Sequence, residues 1–484
     1  MTTIQRIAKN TVALFTAKVV EAVVGFILAI LIARMLGVQR YGQYSFVLAL
    51  TAIVAIFTDL GYETLLVRDV ARYNDKANKY LVNILVIRFF LSLIIFILLV
   101  VSVNLLDFPA DMKFIVYLFG GNILLVSFAR VFKCVYIAFE RMEYYALVLI
   151  SIDIIGFSFS IVALGLGFGL LTLGYIFLFK GILDVALSFY ICRKCFFKPK
   201  FNFDRSFLRA TVFIALPMSI TSFLTLMYVR LDTLMLTAMK GYDVVGWYNA
   251  SYNLVLGLKP IPQLLMNVML PIMAANFIQS KGSLKNIYEK TFKYLLILGL
   301  PISSGIFFLS GKIIVFFYGS KYIESIVLLQ VLAWDVIIMF LVQCISYVLI
   351  SMDKQNILVV TSGITVGVNF VLNLILIPTY SSFGSGLATI ICEFVLLIIC
   401  FYLVSVELHT FALASVAIRP AIACGVMGLF LYVFHWLNLA ILIAGGALVY
   451  FVALYLLRGI TKDEMALVRK MMRRQSKKKS KSSR

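Results

Sequence analysis

Charged side chains recur inside apolar stretches of this 484-residue chain that are long enough to cross a bilayer. A charge at the centre of a bilayer costs at least about 2.5–3.5 kcal/mol, so each of these groups is expected to face protein or water. Arginine and lysine offer charge and donors to an anionic group, whereas aspartate and glutamate can hold those bases in place or bind a proton or a sodium ion. The candidates for lining a polar cavity are Lys18, Glu21, Arg88, Asp153, Lys180, Asp184, Arg230, Asp232 and Lys259.

Four of these residues form two closely spaced pairs of opposite charge. Lys18 and Glu21 are three positions apart, and Lys180 and Asp184 are four positions apart. Residues at these spacings share one face of a helix, where opposite charges attract each other. Each pair is therefore expected either to neutralise itself or to line a cavity, and the spacing leaves both roles open.

Four other candidates have no such partner on their own helix. Arg230 and Asp232 are two positions apart and do not face each other, so at least one is expected to find a partner on another helix. Lys259 lies in the stretch GLKPIPQ, where two prolines break the helical hydrogen bonds and free carbonyl groups that need a polar neighbour. Arg88 and Lys259 have no opposite charge three or four residues away, so each is expected to find either a partner helix or water in a cavity.

Two acids lie near the end of an apolar run in GVQRYGQYSFVLALTAIVAIFTDLGYETLLVRDVAR, which is Gly37–Arg72. Asp59 and Glu63 come shortly before the bases Arg68 and Arg72. Because the four charges are close in sequence at one end of a helix, they are predicted to form a gate or a structural salt bridge.

The remaining polar features are expected to have structural roles. Arg130 and Lys133 lie near a helix end, where long basic side chains can extend to the membrane surface. Cys192 and Cys195, in CRKC, have a metal-like spacing, but zinc needs about four ligands and the sequence offers no second pair beside them. The sequence therefore predicts no metal site, no cofactor and no catalytic residues.

The composition determines the class of protein. Hydrophobic residues make up 63% of the chain and the mean hydropathy is +1.03, which leaves too little polar surface to cover a soluble globule. The chain is therefore predicted to be an all-α polytopic membrane protein with about fourteen transmembrane helices. The predicted spans are 11–35, 42–66, 80–104, 113–138, 145–167, 170–192, 209–238, 243–273, 291–317, 324–350, 355–377, 383–406, 411–435 and 437–458.

Basic residues follow the even-numbered helices. They are concentrated in 68–79, 193–209 and 281–293, whereas the loop NLLDFPADMK is mainly acidic. By the positive-inside rule, these basic loops and both termini are predicted to be cytoplasmic. The protein itself is predicted to lie in the plasma or inner membrane of the cell. The formal charge of +21 also includes the tail 469–484, which has no aromatic residues for bases to stack on. This tail is predicted to lie near anionic headgroups, and no nucleic acid is expected as a partner.

An internal repeat predicts two related halves. A shift of 204 residues places Gly42 and Tyr44 on Gly246 and Tyr248, and a shift of 211 aligns YALVLISIDIIGFSF with NILVVTSGITVGVNF. Such similarity at a near-constant offset is typical of transporters built from structural repeats. The predicted organisation is a lobe of six helices in 1–205, a second lobe of six in 206–408, two added helices in 409–460 and a basic tail in 461–484.

Four stretches together resemble a known family. They are RMLGVQRYGQYSFVLALTAIVAIFTDLGYETLLVRDVAR, PMSITSFLTLMYVRLDTLMLTAMKGYDVVGWYNASYNL, LPIMAANF and VNFVLNLILIPTYSSFGSGLATII. In this order and spacing, the chain resembles Wzx-type flippases of polysaccharides and lipid-linked oligosaccharides. Their superfamily also contains lipid II flippases and multidrug extruders. Where the family commonly has IPxYGxxGAA, this chain has IPTYSSFGSGLA, which is expected to alter a loop without removing the turn.

The resemblance implies a central cavity between two lobes that opens alternately to each side. Its cargo would be a polyprenyl- or dolichyl-phosphate-linked glycan, with membrane lipids, a glycan polymerase or glycosyltransferases as further partners, and a proton or sodium gradient as the energy source. The predicted cavity is cationic, which suits an anionic phosphate head. Arg88 and Lys259 are predicted to face it from opposite lobes and to hold that head.

Two other functions remain as alternatives. A multidrug extruder would share the fold, but a more acidic cavity is expected for cationic drugs. A membrane glycan polymerase or glycosyltransferase would handle similar lipids, but it would need catalytic groups in a sizeable loop, and the predicted outer loops are short and lack a paired-carboxylate or DxD site.

Overall fold

Helices account for nearly all of the residues that the computed structural model describes, which are 3–106, 108–408 and 413–459. Fourteen α-helices are present in these ranges, with 3-10 turns at Asn74–Lys76 and Ser320–Tyr322. The helices are α1 (Thr3–Asp59), α2 (Tyr62–Arg72), α3 (Ala77–Leu105), α4 (Ala110–Ala138), α5 (Met142–Gly165), α6 (Leu170–Cys195), α7 (Arg205–Lys240), α8 (Tyr242–Leu256), α9 (Pro260–Gln279), α10 (Lys281–Tyr318), α11 (Ser325–Ser351), α12 (Gln355–Leu408), α13 (Leu413–Val433) and α14 (Leu439–Leu456). The predicted basic tail lies outside the described residues.

Two of these helices are long enough to cross a membrane twice. The 57 residues of α1 would extend roughly 85 Å as one helix, whereas the hydrocarbon core of a bilayer is about 30 Å thick. α1 breaks at Gly37, which has a φ of 80°, a value that glycine adopts without strain. α12 breaks at Ser381, which has a φ of 54°. Eleven helices in the described residues have the length and composition of membrane spans. Counting α1 and α12 twice and adding the apolar α7 confirms the predicted fourteen.

The predicted second span, 42–66, is interrupted in the structure. α1 ends at Asp59, and the chain turns through Leu60 and Gly61, which have φ values of 46° and 83°. The Asp59 carboxylate accepts hydrogen bonds from the backbone N–H groups of Gly61 at 3.2 Å and Glu63 at 3.0 Å. Asp59 therefore stabilises the start of α2, because it satisfies backbone donors that have no partner within the helix.

The helices form two compact units. Unit 1 runs to Gly257 and adds Ile314–Leu328 and Asn356–Cys392, and unit 2 holds the rest of the chain. α7 and α8, which were predicted to open the second lobe, belong to unit 1, so the units do not follow the predicted boundary at residue 205. The superposition of two six-helix lobes stays a prediction.

Small residues let the helices of unit 1 approach closely. α4 packs along α6, and a Cβ at Gly174 would lie 2.9 Å from the Leu118 side chain. A Cβ at Gly181 would overlap the Asn122 side-chain oxygen. Between membrane helices, close packing replaces the hydrophobic effect as the main source of association, because lipid is as apolar as the side chains. This packing holds α4, α5 and α6 around the polar interior described below.

Unit 2 has its own apolar core, to which the last two helices contribute. Met427 of α13 and Leu442 and Tyr450 of α14 are buried together with Ile297 and Leu309 of α10. The Tyr450 hydroxyl donates a hydrogen bond of 2.9 Å to the carbonyl oxygen of Ile297. α13 and α14 are thereby attached to α10 by packing and by a satisfied buried polar group.

Candidate functional site

A cavity of about 400 Å³ in unit 1 lies among α1, α2, α4, α5 and α6. Its lining contains four basic and four acidic side chains. They are Lys18, Arg130, Lys133, Lys180, Glu21, Glu63, Asp153 and Asp184. Unit 1 thus contains a polar cavity whose lining is balanced in charge and not cationic. The predicted cationic cavity between two lobes stays a prediction.

Two smaller cavities share residues with the first. One, of about 170 Å³, contains Glu21, Asp153 and Lys180 together with aromatic side chains. The other, of about 210 Å³, lies among α1, α2, α3, α4 and α7. Its charged lining residues are Asp59, Glu63, Arg88, Arg130 and Arg230. These three neighbouring cavities bring together seven of the nine predicted cavity residues, all except Asp232 and Lys259, within one unit.

The pairing of Lys18 with Glu21 is confirmed. The Lys18 ammonium lies 2.7 Å from the Glu21 carboxylate, and both side chains are about half exposed. The same ammonium is 6.0 Å from the ring centre of Tyr145 on α5, which also lines the 400 Å³ cavity. Lys18 and Glu21 therefore neutralise each other and also line the cavity, so both of the arrangements that their spacing allowed are present.

The pairing of Lys180 with Asp184 is wrong, because each residue pairs with a neighbouring helix. Lys180 Nζ lies 2.7 Å from Asp153 Oδ1 on α5, and Lys133 Nζ of α4 lies 2.8 Å from Asp184 Oδ2. Gly156 makes the first pair possible, since a Cβ there would lie 2.9 Å from Cδ of Lys180. Lys133 is buried, so the expectation that it extends to the membrane surface is also wrong.

Arg88 forms ion pairs within the protein, whereas the sequence predicted that it would be free to hold an anionic head group. Its guanidinium forms ion pairs with Asp59 and with Glu63, the latter at 3.0 Å, and donates to the carbonyl oxygen of Ser127 at 2.6 Å. The side chain is only 1% exposed. Because two carboxylates and a carbonyl group hold it in place, Arg88 forms part of the cavity wall and cannot leave its partners at low cost.

The same contacts revise the role of the two acids. Asp59 and Glu63 were expected to pair with Arg68 and Arg72, but their base is Arg88. Arg68 lies 2.7 Å from Asp69 instead, and Arg72 is exposed. The structural salt bridge is therefore present with a different partner, since α3 brings Arg88 to the acids while Arg68 and Arg72 continue along α2.

Arg130 and Arg230 are the cavity bases with the least neutralisation. The nearest carboxylate to Arg130 is that of Glu63, at 3.8 Å, and its side chain is 54% exposed. Arg230 forms no ion pair among the described residues, and its buried Nε has no hydrogen-bond partner there. Both line the 210 Å³ cavity. Arg130 was expected to extend to the membrane surface and not to line a cavity, although its spacing of three from Lys133 indicated a shared helix face.

Asp232 confirms the expectation that one member of the Arg230–Asp232 pair finds partners on other helices. Its carboxylate accepts hydrogen bonds from Tyr248 at 2.6 Å, Asn373 at 2.7 Å and Thr389 at 3.0 Å. The side chain is buried, and no base pairs with it in the described part of the chain. A buried carboxylate that is held only by neutral groups can take up a proton or a cation.

Lys259 belongs to unit 2 and lies directly before α9. Pro260 occupies the first turn of α9, and Lys259 is partly buried. No ion pair of Lys259 is recorded among the described residues. Its predicted place in a cavity shared with Arg88 stays a prediction. In the same described ranges, no cluster of three or more histidine, cysteine, aspartate or glutamate residues could hold a metal ion.

The profiles of two protein families match parts of the chain. The profile of the family described as polysaccharide biosynthesis protein matches residues 7–277, and the MatE profile matches residues 217–375. The capsular polysaccharide biosynthesis protein CapF of Staphylococcus aureus is 24% identical over 424 residues, which cover 81% of this chain and 98% of CapF.

Solved structures show the same fold at low sequence identity. The lipid II flippase MurJ, in an inward closed conformation, has a TM-score of 0.75 and 15% identity, and the match covers 92% of this chain and 98% of MurJ. An inward-facing multidrug resistance transporter of the MATE family, from the MOP superfamily, has a TM-score of 0.65 and 14% identity. That match covers 80% of this chain and 94% of the transporter.

Proposed function

Because the chain belongs to the polysaccharide biosynthesis protein family, we propose that this multi-pass membrane protein is a flippase for lipid-linked oligosaccharide. It moves a polyprenyl-(di)phosphate-linked glycan from the cytoplasmic to the outer face of the membrane by alternating access, for assembly of a surface polysaccharide or a glycoprotein glycan. In this proposal the chain performs no catalysis, and a glycan polymerase or glycosyltransferases act on the glycan before or after it crosses.

The observation that carries this proposal is the pair of incompletely neutralised guanidinium groups in unit 1. Arg130 and Arg230 line one cavity inside helices that cross the membrane, and no carboxylate approaches either group more closely than 3.8 Å among the described ion pairs. A guanidinium binds phosphate oxygens through two parallel hydrogen bonds and keeps its charge at any physiological pH. These two residues, in place of Arg88 and Lys259, are the groups that we assign to the phosphate head.

The acids of the cavities position the other bases. Each of the five carboxylates in the three cavities forms an ion pair: Glu21 with Lys18, Asp153 with Lys180, Asp184 with Lys133, and Asp59 and Glu63 with Arg88. Paired charges keep the interior polar and hydrated while adding little net field. The cargo's negative charge is therefore balanced by the two remaining guanidinium groups.

Asp232 is the residue that we assign to energy coupling. A carboxylate buried among neutral donors changes its interactions when it gains a proton or a sodium ion, and such a change can favour one conformation over another. Asp232→Asn keeps a similar shape and removes the charge. Transport driven by an imposed proton or sodium gradient should be lost in this variant, while exchange without a gradient should continue.

A multidrug cation antiporter is the second candidate. The observation that favours it is the balanced cavity, since carboxylates beside aromatic rings also suit organic cations. The two candidates predict different effects of removing Arg130 and Arg230. A flippase would need both groups to bind its anionic cargo. A cation would be repelled by both groups, so their removal should improve its binding and not weaken it.

Reconstitution in liposomes tests the proposal. Lipid-linked oligosaccharide is placed on one face, and its appearance on the other face is measured for wild type, Arg130→Gln and Arg230→Gln. We expect each neutral variant to reduce flipping by about tenfold or more, and Arg→Lys at the same positions to retain more activity, because one charge-assisted hydrogen bond contributes about 1.5–3 kcal/mol.

Arg68→Gln is the matched control, since the Arg68 side chain is 37% exposed and lies outside the three cavities. It should flip at the wild-type rate. Normal flipping in both cavity variants, or transport of a lipophilic cation that rises when the two arginines are neutralised, would refute the assignment. In cells, complementation of a flippase-deficient strain should restore surface glycan, and glycan intermediates should not accumulate inside.

A further inference from the structure

The 170 Å³ cavity of unit 1 has a lining different from that of the phosphate site. Three of its residues are charged, and the aromatic side chains of Tyr44, Phe157 and Phe177 form much of the rest. Phe177 also lies beside the ammonium of Lys180, 6.0 Å from the ring centre. The volume is on the scale of one sugar ring and not of an oligosaccharide. Apolar rings with a few converging polar groups are the usual composition of a small-molecule site.

The charges of this cavity are fully paired. Lys180 is held by Asp153 at 2.7 Å, and Glu21 is held by Lys18 at 2.7 Å. An incoming carboxylate would therefore find no base without a partner, and it would meet two carboxylates already present. An uncharged group meets no such repulsion. The cavity thus discriminates against an acidic ligand in a way that the neighbouring arginine-lined cavity does not.

Asp153, one of the lining residues, has a carboxylate oxygen with unused bonding capacity. Asp153 uses Oδ1 for Lys180, while its buried Oδ2 has no hydrogen-bond partner among the described residues. A carboxylate oxygen without a donor is costly to bury, and a hydroxyl or amide N–H from a ligand would satisfy it. The C–H faces of a pyranose would at the same time pack against the aromatic rings.

From this lining we propose that the cavity of Glu21, Tyr44, Asp153, Phe157, Phe177 and Lys180 is a subsite for one uncharged sugar ring of the cargo, such as a hexose or an N-acetylhexosamine. The inference rests on the proposed function, because it assumes a lipid-linked glycan. The subsite adjoins the 400 Å³ cavity through three shared residues, and that cavity in turn shares Glu63 and Arg130 with the arginine-lined one. Phosphate and sugar would therefore be recognised by different parts of one connected interior.

Binding to purified protein in lipid nanodiscs separates the two sites. The probes are polyprenyl diphosphate, the same lipid bearing one N-acetylhexosamine, and the same lipid bearing one hexuronic acid. We expect wild type to bind the N-acetylhexosamine lipid about tenfold or more tightly than the bare lipid, and the hexuronic acid lipid no more tightly than the bare lipid.

Gly25→Leu is the main variant for this test. Gly25 lines the same cavity, and nothing lies within 4 Å of the place where its Cβ would be, so a leucine there has room to begin filling the cavity. Gly25→Leu should remove the preference for the N-acetylhexosamine lipid and leave bare-lipid binding unchanged. Gly425→Leu is the matched control, because Gly425 also has nothing within 4 Å and lies on α13 in unit 2. It should keep the preference.

Asp153→Asn in combination with Lys180→Gln tests the polar part of the subsite. The double variant removes both members of an ion pair, so it leaves no unpaired charge. The preference for the N-acetylhexosamine lipid should fall, while Arg130→Gln should weaken all three probes by a similar factor.

Three results would overturn the inference. Equal binding of the bare and N-acetylhexosamine lipids by wild type would remove the subsite while leaving the phosphate site intact. A preference that survives Gly25→Leu would place sugar recognition elsewhere. Tight binding of a lipophilic cation that Asp153→Asn abolishes, with no effect on the sugar preference, would assign the cavity to organic cations. Failure of the proposed function is distinct, since bare polyprenyl diphosphate would then bind independently of Arg130 and Arg230.

Discussion

Gly42 of α1 and Gly246 of α8 lie at a crossing where each helix touches the backbone of the other. A Cβ at Gly42 would overlap the carbonyl oxygen of Tyr242, and a Cβ at Gly246 would overlap the carbonyl oxygen of Val38. These are the two glycines that the shift of 204 residues aligns in the sequence. The two aligned positions thus both hold a glycine, and the two glycines lie at one helix crossing inside unit 1.

Gly42→Ala and Gly246→Ala should each lower the unfolding temperature of the purified protein. Backbone atoms cannot move aside as a flexible side chain can, so the added methyl groups should cost about 1–3 kcal/mol or more. Gly305→Ala is the control, because nothing lies within 4 Å of its Cβ position. Thermal unfolding in detergent measures all three. Wild-type stability in both crossing variants would show that the close approach is not part of the folded state.

Arg88→Gln should destabilise the fold more than it impairs cargo binding. The change leaves Asp59 and Glu63 without their main base, and removing one partner of a buried ion pair typically costs about 3–5 kcal/mol. Adding Asp59→Asn should recover part of the loss. Arg130→Gln should have a smaller effect on the unfolding temperature, because Arg130 is half exposed. An Arg88→Gln protein as stable as wild type would contradict this role.

Double-mutant cycles should reveal which charges are coupled. Lys180 with Asp153, and Lys133 with Asp184, should each show an interaction energy of about 0.5–3 kcal/mol in unfolding experiments. Lys180 with Asp184 should show a value near zero, although these residues are four apart on α6. The reverse pattern, with coupling only along α6, would restore the pairing expected from sequence spacing.

Cys195 allows the proposed orientation to be tested without engineering. Of the seven cysteines it alone is exposed, and it ends α6 at the basic connection that is proposed to be cytoplasmic. A membrane-impermeant thiol reagent should label it only in inverted vesicles or opened cells. Cys195→Ser should abolish that labelling. Labelling in intact cells would show that Cys195 lies outside the cell and that the orientation is the opposite of the proposed one.

The connection between α6 and α7 is tied to α3 by polar contacts. Lys79 lies 2.6 Å from the Asp204 carboxylate, which also accepts from the backbone N–H of Ser206 at 2.9 Å. The Asn83 side chain accepts from the backbone N–H of Asp204 at 2.8 Å and donates to the carbonyl oxygen of Asn202 at 3.1 Å. The hydrogen bond from Lys79, followed by those from Ser206, holds the pKa of Asp204 below its usual range.

This depressed pKa predicts a pH-dependent contribution to stability. A carboxylate whose pKa is lower in the folded state stabilises that state above its unfolded pKa of about 3.9, and the contribution is lost as the pH falls through the folded value. The unfolding temperature of wild type should therefore exceed that of Asp204→Asn at pH 6 and above by a constant amount, and the difference should shrink below about pH 4. Asparagine also caps helices well, so the variant isolates the charge. A difference independent of pH would exclude the charge as its source.

The sequence by itself determined the class of protein, the number of membrane helices and the presence of a polar interior. Apolar length and charge distribution depend on the chain alone, because a bilayer accepts only segments of about 20 apolar residues and excludes charges that have no polar surroundings. The Lys18–Glu21 pair was predictable for a similar reason. Its geometry is that of one helix turn, and it needs nothing from another helix.

Only the tertiary structure decided the partners of the other charges. Lys180 can reach Asp184 along its own helix, yet it crosses to Asp153 because Gly156 leaves room for its stem and Lys133 already holds Asp184. Arg88 looked unpaired because its acids are 25 and 29 residues earlier in the chain. Such contacts depend on which helices are neighbours and how they are rotated, and helical periodicity carries no information about either. For this reason the sequence did not reveal that Arg130 and Arg230 are the guanidinium groups left without a close carboxylate in the cavity.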